Sequence, residues 1–464
     1  MLIGGYSVPF YVPLWISSKV YSIKEKLVAY IINHKSNELI ELDGVSAALW
    51  QKILENDLNI KDFVKKNNLE DEFNDFINEL CSLELLLTDN KIENALNNVS
   101  QKDTLPIYTN DSDFLGEITE FLGNNGFLPR LFLELTYNCN LRCVHCFNEK
   151  NLESKSISFY DAKKIIDEAI SLGSFSVTVS GGECTLNNDF VKIAEYVRKN
   201  KLALEIFTNG QNLYDNVDLF NKILKLYPYK VSLSLYSMRP EIHDKITKVS
   251  GSHKKTIDVI KKLKENNINV EIKCFLTKYN AYDYLEVQNF AEDNQINMTL
   301  DYELIPNNDG TNEDIRITEK QLLDLLINES SIHNIKRKNV NNINDDFKKF
   351  IICGIARNSL SVNPNLDIYC CPPLKIKLGN YRETTLHSVW DNNRLDSIKN
   401  KLKSLRKSDI IGCYEQDFCK YCVYCPGIAY SENSFLKPCE NFCRQAKIKM
   451  QAAKICGIEQ WLVF

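Results

Sequence analysis

Cys139-Asn-Leu-Arg-Cys143-Val-His-Cys146 puts three thiols on one short loop at the spacing C-x3-C-x2-C. The loop follows Leu131-Phe-Leu-Glu-Leu135, an apolar run that reads as a strand, and precedes a stretch with helical periodicity. A [4Fe-4S] cube is normally held by four cysteines, so three leave one iron without a protein ligand and open to a small molecule. A zinc knuckle or disulfide cysteines are the other readings of such a run. Zinc sites, however, usually pair one C-x2-C with a second.

Around this loop, from 129 to 325, strand and helix alternate, which argues for a parallel sheet with crossover helices. Six strands are expected: Leu131–Thr136, Ser176–Ser180, Ala203–Thr208, Lys230–Leu235, Asn269–Leu276 and Met298–Glu303. The first helix has Ser158 as its N-cap, Ile165, Ile166 and Ala169 on one face, and Gly173 beyond its end. Six units are too few for a closed eight-fold barrel.

The chain of 464 residues is 44% apolar and 25% charged, ordinary for a globular protein and long enough for two or three domains. Its net charge of −5 argues against a broad nucleic-acid surface, and Lys261-Lys262 reads as a solvated helix face. No apolar stretch is long enough to cross a bilayer, and Met1-Leu-Ile-Gly-Gly lacks the marks of a signal peptide. The expected location is the cytoplasm, with neither membrane nor nucleic acid as partner. There, sixteen cysteines point to metal or catalysis rather than to disulfides. Nine crowd between Cys353 and Cys443, while Cys81, Cys184, Cys274 and Cys456 stand apart. Cys81 and Cys274 lie in apolar periodic settings and read as core.

Residues 1–90 read as a small α/β module. Lys26–Asn33 and Glu38–Leu42 form a hairpin, Gly44–Leu54 a helix, and Leu69–Leu86 a helix with Phe73, Phe76, Ile77, Leu80 and Leu83 at helical spacing. Hairpin, helix, short helix, helix is the winged-helix order. Residues 91–128, polar and Asn-rich, read as a linker.

The cysteine loop resembles that of the radical S-adenosylmethionine (SAM) enzymes, and the six strands resemble their open, partial (β/α)6 barrel. The resemblance implies that SAM's amino and carboxylate groups occupy the open iron, and that the cluster splits SAM into methionine and a 5′-deoxyadenosyl radical. Gly181-Gly182-Glu183, after the second strand, is similar to the family's G-G-E, implying contact with SAM's amine. The family's next residue is usually Pro. Here it is Cys184, which reads as a small buried replacement. Ser232 and Ser234 share a strand face; the resemblance makes Ser234 the stronger contact to SAM's ribose or carboxylate, with Asn209 a weaker one. His243 resembles a loop-shaping residue of the family.

The C-terminal array, residues 326–464, resembles a SPASM domain, which carries two auxiliary [4Fe-4S] clusters and brings the expected total to three. The middle block here is C-x5-C-x2-C-x2-C, so the match is by order and crowding rather than strict spacing. Carried over, the order assigns Cys353, Cys371 and Cys425 to the first auxiliary cluster. It assigns Cys413, Cys419, Cys422 and Cys443 to the second. Cys370 and Cys439 are spares or a fourth ligand of the first. Zinc is the alternative for the block Cys419–Cys425.

Residues 1–90 are similar to the RiPP recognition element, which binds the leader of a ribosomally made, post-translationally modified peptide. The phrase Leu42-Asp-Gly-Val-Ser-Ala-Ala-Leu-Trp50 and the run Leu80–Leu86 carry the likeness, with Asp43 in place of Asn; a structural cap without ligand is the plainer reading. Together the resemblances imply an anaerobic maturase of a precursor peptide, forming Cys thioether crosslinks as in sactipeptide or ranthipeptide maturation. They imply a reductant such as flavodoxin or ferredoxin. Carbon–carbon crosslinking, epimerisation and formylglycine formation share these cofactors; a peptide-binding or iron–sulfur sensor protein is the reading without turnover. Side chains would mainly position SAM and peptide, the cofactors carrying the chemistry.

Overall fold

The structure, a computed structural model, describes residues 2–3, 6–7, 11–36, 38–55, 60–67, 69–87, 114–148, 155–307, 312–332, 352–391, 401–410, 412–413, 416–432 and 435–457. A short antiparallel pair, β1 (Leu2–Ile3) and β2 (Tyr6–Ser7), opens it. An antiparallel sheet follows in the order β3 (Ile16–Ile23), β4 (Lys26–Asn33), β5 (Glu38–Asp43). The β4–β5 hairpin and the helix Gly44–Leu54 stand where the sequence places them, a short helix, Ile60–Lys66, follows, and the helix expected over Leu69–Leu86 spans Glu70–Ser82. Strand β3 was not expected. One face of this sheet packs on its own helices, around Trp50, Phe73, Ile77 and Leu80, and the Trp50 indole donates to Ser18 Oγ at 2.6 Å.

The other face is buried too. Tyr21, Tyr30 and Ile32 pack on Leu115, Ile118 and Leu122 of a helix, Phe114–Asn124, and on Phe175, Ala203 and Tyr229. That helix corrects the reading of 91–128 as linker. The helix is short, and its glycines and Asn-rich flanks hid a spacing that buries one face. Residues 88–113 lie outside the described part of the structure.

Six parallel strands carry the middle of the chain: β6 (Arg130–Thr136), β7 (Ser176–Gly181), β8 (Ala203–Thr208), β9 (Lys230–Ser234), β10 (Val270–Phe275) and β11 (Asn297–Asp301). They pair in chain order. Between β6 and β7, Ser158 Oγ accepts from Asp161 N at 3.1 Å and caps the first crossover helix, Phe159–Ser171. A further strand, β12 (Ser359–Val362), pairs in parallel with β6, and β13 (Asp367–Tyr369) and β14 (Gly379–Asn380) extend the sheet antiparallel. The cysteine-rich C-terminal region is thus hydrogen-bonded into the sheet, an extension that its short strands did not announce.

Alternation separates the two faces of the sheet. Leu131, Leu133, Leu135, Val177, Val179, Ile206, Val231 and Ile272 enter the main core beneath the helices. The opposite face carries Arg130, Glu134, Thr178, Glu205, Ser232, Glu271 and Lys273, where a closed barrel would stack branched apolar side chains. Burial alone would raise the Glu271 carboxyl. Lys230 at 3.0 Å and Lys273 at 2.7 Å instead hold it at about 2.

The N-terminal sheet sits against the N-terminal ends of the barrel strands. Ser18 N donates to Lys201 O at 2.8 Å, and Tyr21 Oη to Gly173 O at 3.1 Å. Arg198, 1% exposed, gives its guanidinium to Ser17 Oγ (2.6 Å), Leu202 O (2.5 Å), Leu226 O (2.9 Å) and Leu14 O.

Candidate cluster and cofactor site

The cysteine loop leaves the C-terminal end of β6 and is fastened by backbone bonds on both sides. Gly182 N donates to Thr136 O at 2.7 Å and Glu183 N to Asn138 O at 2.8 Å; Arg142 N and Val144 N donate to Thr247 O and Ile246 O, both at 2.9 Å. This contact demands the two glycines. A Cβ on Gly181, whose φ is +131°, would lie 2.3 Å from Thr136 O, and one on Gly182 would lie 2.6 Å from Tyr137 O and Asn138 O. The close approach that glycine permits is made here to the chain's own loop.

Cys139, Cys143 and Cys146 are all half-buried and converge. Burial pushes the Cys143 thiol up to about 12, with Cys146 and Cys139 adding to the rise and Tyr236 opposing it. Cys139 is raised by burial and, further, by Glu183 and Cys146. Thiolates, the form that binds iron, therefore repel one another here and call for a cationic partner. The donor set fits an iron–sulfur cluster. Among the described residues, no three His, Cys, Asp or Glu side chains form a site for a single metal ion.

Glu183 is fully buried, with four donors on its carboxylate. Thr185 Oγ1 (2.6 Å), Thr208 Oγ1 (2.7 Å) and Thr185 N (3.2 Å) reach Oε1, and Asn209 N (2.7 Å) reaches Oε2. Burial raises its carboxyl, and these neutral donors oppose the rise. Glu183 thereby ties the ends of β7 and β8 together. Asn209 Nδ2 donates to Asn140 Oδ1 at 2.7 Å and stands 3.7 Å from Cys139 Sγ. Ser232 donates to Glu271 Oε2 at 2.9 Å, whereas Ser234 is half-buried at the end of its strand. Cys184 is buried in the core, its thiol on Phe207 O at 3.2 Å. His243 is buried and accepts from Tyr236 N at 3.3 Å.

The C-terminal cysteines fall into two groups. Cys353, Cys371 and Cys425 act electrostatically on one another. So do Cys413 and Cys443 on Cys422, and Cys419 on Cys443. Cys370, 1% exposed, packs into the main core. Cys439 donates to Glu432 Oε2 at 2.8 Å, and Glu432 pairs with Arg316 at 3.2 Å. Glu303 stands near Cys425; burial raises its carboxyl to about 7, Gln445 and Lys449 opposing the rise. Neither Glu303 nor Tyr236 was singled out from sequence. Tyr236 was findable: it continues the two-residue period of Ser232 and Ser234.

Residues 133–292, about a third of the chain, match the Radical SAM superfamily, a superfamily of enzymes. AlbA of Bacillus subtilis (strain 168), an antilisterial bacteriocin subtilosin biosynthesis protein, is 24% identical over 333 residues, which are 68% of this chain and 70% of AlbA. Fe-coproporphyrin III synthase of Methanosarcina barkeri is 29% identical over 205 residues, 43% of this chain, and the chain spans about half its length, 51%. Streptococcus suis SuiB, solved with its precursor peptide SuiA, superposes with a TM-score of 0.56 at 18% identity, over 94% of this chain and 99% of SuiB. At that identity the likeness is one of fold.

Proposed function

We propose that this radical SAM enzyme modifies a ribosomally made precursor peptide, forming Cys thioether crosslinks. The observation that carries the reading is one chain joining a three-thiol loop at the mouth of the barrel, two further cysteine groups, and a sheet whose outer strand β5 is an edge. AlbA's part in making a bacteriocin and SuiB's binding of a precursor peptide support a peptide substrate.

Cys139, Cys143 and Cys146 would hold the SAM cluster; Gly181, Gly182, Glu183, Asn209, Ser232 and Ser234, at the strands' C-terminal ends or just beyond them, would line the SAM side. Cys353, Cys371 and Cys425, and Cys413, Cys419, Cys422 and Cys443, would hold two auxiliary clusters, leaving Cys370 to the core and Cys439 to Glu432. When bound, cluster and SAM supply a radical that abstracts hydrogen from the peptide. The chain's own part is positioning. Residues 1–90 would take the leader as an added strand along β5, main-chain bonds giving affinity and side-chain pockets specificity. A flavodoxin or ferredoxin would supply electrons. Reconstituted, reduced protein is expected to release 5′-deoxyadenosine from SAM; an iron-replete preparation that releases none would sink the proposal.

Glu183→Gln tests the SAM side. An amide offers one acceptor oxygen where the carboxylate uses two, so the Asn209 N–H or the threonine donors lose a partner. SAM affinity is expected to fall about tenfold, about 1.4 kcal/mol, while iron content stays constant. The measurement is the SAM-induced change in the reduced cluster's EPR spectrum, titrated with SAM. An unaltered midpoint would remove Glu183 from the SAM site.

A further inference from the structure

The cysteine-rich region has a charge of its own. Residues 401–457 hold ten Lys and Arg against five Asp and Glu, whereas the whole chain carries −5. Several of these cations stand beside Cys413, Cys419, Cys422 and Cys443. Lys407 Nζ donates to Cys422 O at 3.5 Å. Lys420, exposed, follows Cys419 directly and lies over the Tyr421 ring at 5.2 Å. The helix Glu440–Cys456 carries Cys443 in its first turn. Glu440, Arg444, Lys447, Gln451 and Lys454 share its outer side at helical spacing, Arg444 half-buried and the others exposed, while Phe442, Ala446 and Ala453 are buried. Lys447 Nζ lies 5.2 Å over the Phe418 ring, which joins this stripe to the 3₁₀ turn Asp417–Tyr421 that carries Cys419. Asp417 and Glu440 are the exposed acids of these two elements, and Asp409 accepts from Arg406 N at 2.8 Å. Lys407 is thus committed to the backbone of the thiol group, whereas Lys420, Lys447 and Lys454 present their charge to solvent.

We propose that this cationic face, with Lys420, Lys447 and Lys454 at its centre, docks a small acidic one-electron carrier protein, which delivers its electron through the cluster on Cys413, Cys419, Cys422 and Cys443. The inference rests on reading those four thiols as a cluster site. The mouth of the barrel, where the other thiol loop lies, is given to SAM and peptide on the same reading, so a carrier needs a second point of entry. Cys413 and Cys443 are half-buried rather than sealed. One electron passes from the carrier's reduced flavin to the oxidised cluster, and no bond forms or breaks. Opposite charge acts here on the rate and orientation of encounter more than on affinity. It acts over about a Debye length, 8–10 Å at ordinary salt, so only cations close to the entry point contribute. Lys447 and Lys454 lie about 10 Å apart along the helix, within that range of one another.

The test is stopped-flow reduction of the full, anaerobically reconstituted chain by reduced flavodoxin, compared with reduction by dithionite. The wild-type rate with flavodoxin is expected to fall steeply as salt rises. Lys420→Glu, Lys447→Glu and Lys454→Glu together should cut the low-salt flavodoxin rate about tenfold or more and flatten its salt dependence. Iron content and the dithionite rate should stay at wild-type values. A control set on the crossover helices of the barrel, Lys222→Glu, Lys254→Glu and Lys261→Glu, is equally exposed and should keep the wild-type flavodoxin rate. An unchanged flavodoxin rate in the first variant overturns the proposal. So does an equal loss in the control, which would make the effect one of total charge. Should the reversed-charge protein fail to load iron, glutamine at the same three positions must slow flavodoxin in the same direction by less; no slowing overturns it equally. Dithionite-reduced, iron-replete wild type that releases no 5′-deoxyadenosine would instead remove the radical SAM reading, a failure separate from that of the docking face.

Discussion

Replacing Cys139, Cys143 and Cys146 together by alanine is expected to lower bound iron from about twelve to about eight atoms per chain and to abolish SAM cleavage. The size of the effect follows from the separation of the ligand groups. The loop's thiols act on one another and on Glu183, while the C-terminal thiols act among themselves. The loop is also fastened by backbone bonds to Gly182, Glu183, Ile246 and Thr247, which hold it independently of the thiols. Iron analysis and circular dichroism on the same sample check both halves. Unchanged iron in a folded protein would show that the loop holds no cluster.

Arg198→Ala should cost about 3 kcal/mol of stability, among the larger effects of a single substitution. The guanidinium serves Ser17, Leu14, Leu202 and Leu226 at once. Removing it strands several buried acceptors at about 1–3 kcal/mol each, partly offset because a buried charge without a carboxylate partner no longer has to be desolvated. The loss should appear as a lowered denaturant midpoint, with cleavage between residues 1–90 and the barrel under limited proteolysis. A midpoint equal to wild type would show that the clamp contributes nothing. Deleting residues 1–90 is correspondingly severe, because Phe175, Ala203 and Tyr229 would lose the sheet that covers them. Uncoupled SAM cleavage after such a deletion is therefore not expected to survive intact, although every proposed cluster ligand lies beyond residue 130.

Much of this architecture was legible where local pattern and tertiary need agree. The strands of the barrel alternate because helices cover one face and the other lines the barrel, and Ser158 and Gly173 punctuate the first crossover helix as their chemistry requires. The cysteine loop was legible from its spacing. What stayed hidden depends on long-range partners. Strands β12 to β14 are two to four residues long and gain their identity only by pairing with β6 and with each other. The helix Phe114–Asn124 is amphipathic toward a sheet that ends about seventy residues before it. The burial of Glu183 could not be read either, since G-G-E announces a carboxylate but not the threonines that enclose it. Nor could a sequence tell that Cys370 is buried in the core while its neighbour Cys371 is half-buried.

The sheet of residues 1–90 rests on the ends of the barrel strands that lie farthest from the cysteine loop. Strands of five to seven residues put about 20 Å between those two ends. On the proposed docking, a peptide taken along Glu38–Asp43 would start about a barrel's height from the cysteine loop. Fully stretched, that distance alone would take about six residues. On that proposal the arrangement would act as a measuring tape: residues too near the gripped segment would not arrive, and those beyond the minimum reach would be selected by distance along the chain before their own chemistry is consulted.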